Sequence, residues 1–544
     1  MKKLIILLLG LLPVTAGAQG VERVYISTDR NVYIAGDDVW CSLFSMNSTG
    51  LSSYSAVSYV ELVSEDGTVA TAKIGLMEGR GAGKFRIPVS APTGNYRLLA
   101  YTALYQEAYL PGSKIISVFN TTSTARVEGG VRIVRDYAAK HTSEPSSGLF
   151  AISLRETART GRNFTLALKN NTDAADISLS VYELDDLREP SNPTLAQFLE
   201  QLPSGEGTAR SSRLPEYEGE IVYAAVEGLE EQQLSSLSDQ AVATLSSAGS
   251  PSDVYVGKVR DKGRLVFFTN NIYGDRELVC AVSGNAGYIS LIDPFRYPSV
   301  SGIPALELSS AQYGALVHRK AALESALQVD TLVQFLPRRQ DILLENAGKI
   351  TYHLDDYTRF PSFEEVMVEI VKELRVRTVY GKHQLQMVVP DAIQTRKVVK
   401  DNLLVLLDGV VVPDLSLLEG MDATLLEDID IYPDNLALGG LSFNGAVNFI
   451  TRKNYVKAMP FPSNVRVIDF KGVSYPVAYP GTPVSGKDFR TLLYWNPALR
   501  LDAGENRLIP LVAPSTAGTF RIVAEGLTES GKPIHEVFDF EVRQ

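Results

Sequence analysis

From Val21 to about Asn120 the chain is written in short β-branched and aromatic runs, and this pattern limits its fold more than any other feature. Val24-Tyr25-Ile26, Val32-Tyr33-Ile34, Val39 to Phe44, Ser58 to Val63, Val69 to Ile74, Lys84 to Pro88 and Gly94 to Tyr101 follow one another. Thr28-Asp29-Arg30-Asn31, Gly36-Asp37-Asp38 and Glu65-Asp66-Gly67 break them with turn chemistry. Runs of this length at near-even spacing predict an antiparallel sandwich, because period-two alternation provides one apolar face per strand. Similar text returns at Phe150 to Leu154, Phe164 to Leu168, Ile177 to Tyr182, Gly219 to Val226, Val254 to Val259, Arg264 to Phe268 and Glu277 to Val282.

The 544 residues set a prior of roughly four domains at about 150 residues each. Lys and Arg number 52 against 63 Asp and Glu, a formal charge of −11. A net acidic surface is a poor partner for a phosphate backbone, so no nucleic acid is expected. Two cysteines and five histidines leave little material for zinc clusters or a disulfide framework. Cys41 and Cys280 each sit in an apolar run and read as buried strand thiols.

Met1 to Ala18 predicts a signal peptide. Lys2 and Lys3 form the positive end, Leu4 to Leu12 the apolar core, and Ala16-Gly17-Ala18 a small-residue cleavage site. No later apolar run reaches the roughly 18 residues of a membrane helix, so no integral span is expected in the mature chain. Export across an inner membrane follows as an expectation, with a periplasmic, outer-membrane-associated or cell-surface location.

"STDRNVYIAGDDVWCSLF" and "GKFRIPVSAPTGNYRLLAY" resemble the macroglobulin-type domain of alpha-macroglobulins and related bacterial surface proteins. In that likeness Tyr33 and Gly36-Asp37 mark the first hairpin, and Gly94-x-Tyr96 opens the closing strand. The tail, "TLLYWNPALR" followed by "GTFRIVAEGLTESGKPIHEVFDFEV", resembles another β domain of that family, with Trp495 read as core packing. Asp261-x-Gly263-x-Leu265-x-Phe267 resembles carboxypeptidase-regulatory-like modules.

The texture changes after Pro304. Ala311 to Phe335 has helical spacing, and Phe363 to Val371 is amphipathic, with Ser362 as N-cap and Glu365 as capping-box partner. Leu374 to Val379, Leu385 to Val389 and Leu403 to Leu407 are predicted strands. Five elements between Leu403 and Lys453 then resemble, in order, the plug domain of TonB-dependent outer-membrane receptors. An apolar strand ends in Asp408-Gly409-Val410, and a short helix carries Leu417, Leu418 and Leu425. A strand covers Asp428 to Tyr432, a loop opens at Gly439-Gly440, and Asn444 to Lys453 closes the set. The loop reads Leu438-Gly439-Gly440-Leu441-Ser442-Phe443 where family members usually have a Tyr-Gly-Ser-like sequence, which puts a ligand-gating role in doubt. A receptor barrel needs about 22 strands of about 10 residues, and only 89 residues follow Tyr455. The resemblance therefore implies a plug fold whose barrel is carried on another chain.

The expected fold is mainly β and multidomain: antiparallel macroglobulin/Ig-like sandwiches plus one small α+β plug-like domain. The expected boundaries are signal peptide 1–18, sandwich 20–120, linker 121–148, one or two sandwiches over 149–300 with a long loop at 187–214, a mostly helical connector at 301–350, the plug-like domain at 351–456, and a C-terminal sandwich at 460–544.

Chemistry is sparse. Cys41 and Cys280 lack the Cys-Gly-Glu-Gln context of a thioester, no G-x-S-x-G elbow occurs, and the five histidines have no metal-like spacing. Glu78 to Phe85 lacks the spacing of a phosphate loop and reads as a hairpin. No catalytic, cofactor or metal residues are expected. The partner-contact loops expected from the resemblance are Asp408, Gly409, Gly439, Gly440, Leu441, Ser442, Phe443 and Asn444, and the expected partner is an outer-membrane β-barrel protein or complex. The leading expectation is a non-enzymatic scaffold that engages or regulates that barrel. Alternatives are an extracellular adhesion module, or a thioester-less macroglobulin-type inhibitor with its bait segment in the loop from Arg188 to Leu214.

Overall fold

The computed structural model describes residues 22–104, 112–135, 137, 146–202, 213–237, 241–248, 253–283, 287–326, 333–334, 348–379, 381–390, 396–399, 402–453, 455–481 and 486–544. The expected signal peptide and His141 lie outside them. The protein is mainly β, multidomain and largely antiparallel. It divides into two compact units, each described by itself. One draws on residues 1–217, 297–334 and 477–544, the other on 218–296 and 335–476.

The first unit opens with a sandwich. Arg23–Thr28, Asp38–Asn47 and Arg80–Arg86 form one face. Gly67–Met77, Val57–Ser64, Gly94–Tyr101, Lys114–Phe119 and Val32–Ile34 form the other. Gly67–Met77 belongs to both, since its end pairs with Arg80–Arg86 through a turn at Glu78-Gly79. Ile26, Val39, Cys41, Leu43, Leu62, Ile74, Leu98 and Ile116 fill the space between the faces. Tyr33 and Tyr96, singled out above, are fully buried. The Tyr33 hydroxyl lies 2.8 Å from Asp29 Oδ1 and 2.7 Å from the Arg30 carbonyl, and that of Tyr96 donates to the Pro92 carbonyl at 2.6 Å. Each closes a turn by satisfying a backbone group that burial would otherwise orphan.

The C-terminal strands, expected to close a sandwich of their own over 460–544, instead share one with 150–184. Leu492–Leu501, Ala175–Leu184, Gly518–Thr528 and Pro533–Val542 lie side by side in one sheet. Phe150–Leu154, Asn163–Asn170 and Asn506–Val512 form the second. The reason is visible in Ala175–Leu184, which is buried at nearly every position and bonds a neighbour along both edges. A strand buried on both faces loses its alternation, and nothing local then names its partners. Edge strands are protected by proline. Pro510 sits on Asn506–Val512 at a position that faces away from Asn163–Asn170, so no donor is lost from the ladder. Trp495 is fully buried, 5.4 Å from Trp40 between ring centroids, in keeping with a packing role.

The expected long loop at 187–214 contains the helix Leu195–Glu200, held by a complete capping box between Thr194 and Gln197. The helix buries Leu195 and Phe198 against Tyr25, Phe44 and Leu527. In the connector, helix Tyr313–Ala326 is present, preceded by the strand Leu306–Leu308. Most of the remaining connector lies outside the described residues.

The second unit contains a smaller sandwich. Arg264–Phe268, Ile221–Glu227 and Tyr288–Leu291 form one sheet, and Asp253–Lys258, Val242–Ser247, Arg276–Val282 and Arg466–Phe470 the other. Its last strand again comes from far along the chain. In the stretch that resembles carboxypeptidase-regulatory-like modules, a turn at Asp261–Gly263 carries left-handed Lys262 (φ 58°) and feeds Arg264–Phe268, where Leu265 and Phe267 are buried.

Beside this sandwich, in the same unit, lies an α+β portion. Ile350–His353, Leu426–Tyr432, Ala446–Thr451, Leu404–Leu407 and Val410–Val411 make a five-stranded mixed sheet in that order. Only Leu404–Leu407 and Ala446–Thr451 run parallel. Helix Phe363–Glu369 packs on it, with Phe363 edge-on to Phe449 at 5.2 Å. Ser362 Oγ accepts the Glu365 amide at 3.4 Å; the reciprocal bond expected from the Glu365 side chain is not formed, and Glu365 is exposed. Leu374–Val379, Lys382–Pro390 and Arg396–Val399 form a separate three-stranded sheet.

Candidate functional site

The eight expected contact residues separate into a buried turn and a hairpin. Asp408-Gly409 links Leu404–Leu407 to Val410–Val411 with both residues left-handed, φ 49° and 84°, as a two-residue turn of the primed kind requires. It does not protrude. Asp408 is 4% exposed, and its carboxylate accepts the Thr451 amide at 2.7 Å, the Thr451 hydroxyl at 2.7 Å and the Val456 amide at 3.3 Å. Gly409 donates its amide to Asn448 Oδ1 at 3.0 Å. In place of the protruding contact loop expected of them, these two residues tie the sheet to the segment that follows it.

The second loop is the tip of a hairpin between Leu436–Leu438 and Leu441–Phe443. Gly439 and Gly440 turn it, with φ 55° and 77°. Leu438 and Phe443 are buried with Val254, Val256, Leu404 and Tyr432, so the hairpin covers the edge strand Asp253–Lys258 of the neighbouring sandwich. Gly439 lies against that strand: a Cβ there would come within 1.8 Å of the Val256 carbonyl oxygen. Gly439, Gly440, Ser442 and Asn444 are exposed and Leu441 half-buried. Of the expected set, these are the residues open to another chain. Gly445 (φ 135°) then brings the backbone against the Tyr432 carbonyl, where a Cβ would approach to 2.8 Å.

Two neighbours of this tip escaped sequence reading. Left-handed Asn402 (φ 60°) donates from its amide to the Ser442 carbonyl, and its own carbonyl accepts the Asn444 amide at 2.9 Å. It holds the hairpin from below; an Asn before an apolar strand is the only local signal. Next to it opens a groove of about 250 Å³ lined by His383, Gln384, Leu385, Asn402, Leu403, Val405, Val412, Pro413 and Leu415. His383 Nδ1 lies 2.6 Å from Glu419 Oε1 at its rim. Leu385 and Leu415 of its lining belong to the core beneath, and Leu403, Val405 and Val412 pack against that core.

Elsewhere the chemistry is quiet. No group of three or more His, Cys, Asp or Glu side chains placed to hold a metal ion occurs among the described residues. Cys41 and Cys280 are free and buried; burial pushes the Cys280 thiol up to about 12 and that of Cys41 well above its ordinary value. His353, bonded to Asp428 at 2.8 Å, is raised by that contact and by the charge of the same carboxylate. It enters the short turn Leu354–Asp356 as a helix-entry polar group. Ten residues of the candidate bait segment, 203–212, lie outside the described residues. No helix among the described residues is long and apolar enough to cross a membrane.

No family model and no curated protein matches the chain. Among solved structures, a point mutant of Salmonella alpha-2-macroglobulin is 10% identical over 97% of this chain and 40% of that one, with a TM-score of 0.25. Escherichia coli alpha-2-macroglobulin activated by porcine elastase is 9% identical over 96% and 53%, at 0.16. The Escherichia coli adhesin FdeC is 12% identical over 53% and 64%, at 0.14. This chain thus spans 40% of the length of the Salmonella protein, and scores of this size carry no functional argument.

Proposed function

We propose that this protein is a non-enzymatic scaffold of the bacterial envelope, exported to the periplasm and associated with the outer membrane. In this reading its α+β portion engages or regulates a β-barrel encoded separately. The observation that carries the reading is the arrangement of residues 404–451. The five sequence elements that resemble a receptor plug fall, in order, within one small mixed sheet and its attached turns and hairpin. The sandwiches then serve as spacers and docking surfaces. The exposed hairpin residues Gly440, Ser442 and Asn444, beside the groove under Asn402, form the contact face.

The test is photo-crosslinking in intact cells with a crosslinker at Ser442. The expected product joins the full-length protein to an outer-membrane barrel. Recovery of a non-crosslinked chain that fractionates away from membranes would remove the proposal.

A further inference from the structure

The strand Pro533–Val542 is one edge of its four-stranded sheet and pairs with Gly518–Thr528 along its whole length without a register shift. Antiparallel pairing turns the backbone groups of alternate residues toward opposite edges. Two bonds fix which residues face outward. The His535 carbonyl accepts the Ser147 amide at 2.8 Å, and Arg543 donates its amide to the Ala158 carbonyl at 3.0 Å. Val537, Asp539 and Glu541 share that phase, so their N–H and C=O groups point away from Gly518–Thr528. Among the described residues these groups meet no hydrogen-bond partner.

The open stretch is closed at both ends. Ser146 and Ser147 bond the Glu536 carboxylate at one end, and 158–160 runs beside Arg543 at the other. Between them, 537–541 spans about 17 Å at the usual rise of a strand. The facing edge strand of the second sheet, Phe150–Leu154, is drawn alongside by the bond from the Phe150 amide to Glu536 Oε1 at 3.1 Å. On the core side, Ile152, Leu154 and Phe538 are left half-buried against the sandwich interior. On the outer side Asp539 and Glu541 are exposed. There Glu189, Asp539 and Glu541 outnumber Arg521 and Arg543, with Arg521 held by Asp539 at 2.8 Å and Arg543 by Glu541 at 3.2 Å. Other edges of this sandwich are guarded. Pro497 and a register shift interrupt Leu492–Leu501, and Pro510 blocks Asn506–Val512. No proline lies between Ile534 and Val542.

We propose that this edge accepts one extended segment of another protein, about five residues long, apolar at alternate positions and basic between them. Its main chain answers Val537, Asp539 and Glu541. Its apolar side chains cover Ile152, Leu154 and Phe538, and a basic one meets Glu541. An in-register second copy would set Asp539 against Asp539, and like charges directly opposite destabilise a strand pair. The site is independent of any barrel partner.

Amide exchange on the full-length protein tests it, with a short synthetic peptide alternating lysine and valine as the probe. Without peptide, the Val537, Asp539 and Glu541 amides should exchange fast while those of Phe538 and Phe540 stay protected. Millimolar peptide should slow the three at least tenfold. Val537→Pro, which removes an outward donor and leaves the ladder to Gly518–Thr528 intact, should abolish that slowing. The proposal is overturned if the peptide slows none of the three, or if a peptide alternating glutamate and valine slows them equally. Protection already present in the free chain, or growing with protein concentration alone as a second copy would cause, overturns it too. If Val537→Pro does not fold, the wild-type exchange map decides.

Discussion

Replacing Asp408 by Ala removes one carboxylate that answers three donors, two of them buried backbone amides. Thr451 donates both its amide and its hydroxyl at 2.7 Å, and Val456 its amide at 3.3 Å. A hydrogen bond to a charged group is worth about 1.5–3 kcal/mol net, and a buried donor left unanswered costs about 1–3 kcal/mol. Allowing for the length of the Val456 bond and for partial access of water to the vacated space, the loss comes to about 3–5 kcal/mol. That is a large share of the stability of a small domain. Hydrogen exchange on the full-length protein reads it directly. The Thr451 and Val456 amides should lose protection by about two to four orders of magnitude in Asp408→Ala, while amides of the first unit keep theirs. Asp408→Asn should fall between, because its carboxamide keeps one acceptor and turns an N–H toward a donor. Protection of Thr451 within threefold of wild type in the Ala variant would refute the assignment of Asp408 as a structural tie. The residue would then be open to the partner role that the sequence suggested.

Two further outcomes follow from geometry. Gly439→Ala should separate the hairpin from Asp253–Lys258, because its Cβ meets a backbone oxygen at 1.8 Å and its φ of 55° costs about 1–2 kcal/mol more; protease nicking near Leu441 should rise, and an unchanged digestion pattern would count against the packing described. Burial raises the Asp29 pKa from 3.8 to about 6 against the opposing pull of Arg30, the Trp40 amide and the Tyr33 hydroxyl. A carboxyl raised on folding contributes stability that is full below about pH 4 and lost as pH rises through about 6, here about 3 kcal/mol. Asp29→Asn should flatten the first unit's stability between pH 4 and 6, and an unaltered slope in denaturant melts would contradict this.

Much of the secondary structure was legible because period-two alternation and turn residues are local facts. Glu78-Gly79, Asp408-Gly409 and Gly439-Gly440 each turn a hairpin where the sequence reads as a turn or loop, since left-handed backbone is a property of a few residue types. What the eight contact residues touch was not legible. Asp408 reads as a polar turn tip, yet Thr451, more than forty residues on, folds back onto its carboxylate. Gly439 reads as a flexible loop, yet it is required by a carbonyl at Val256 in another layer of the unit.

Sequence alone determined that this chain is β-rich, that its apolar faces need facing sheets, and where its turns lie, because alternation and turn chemistry act within a few residues. Only the tertiary structure decided which strands pair. Ala175–Leu184 finds its neighbours more than three hundred residues away, and Arg466–Phe470 completes a sheet begun before residue 260. Any strand edge presents the same repeating donors and acceptors, so partner choice rests on burying whole faces together, a quantity no short stretch of sequence contains.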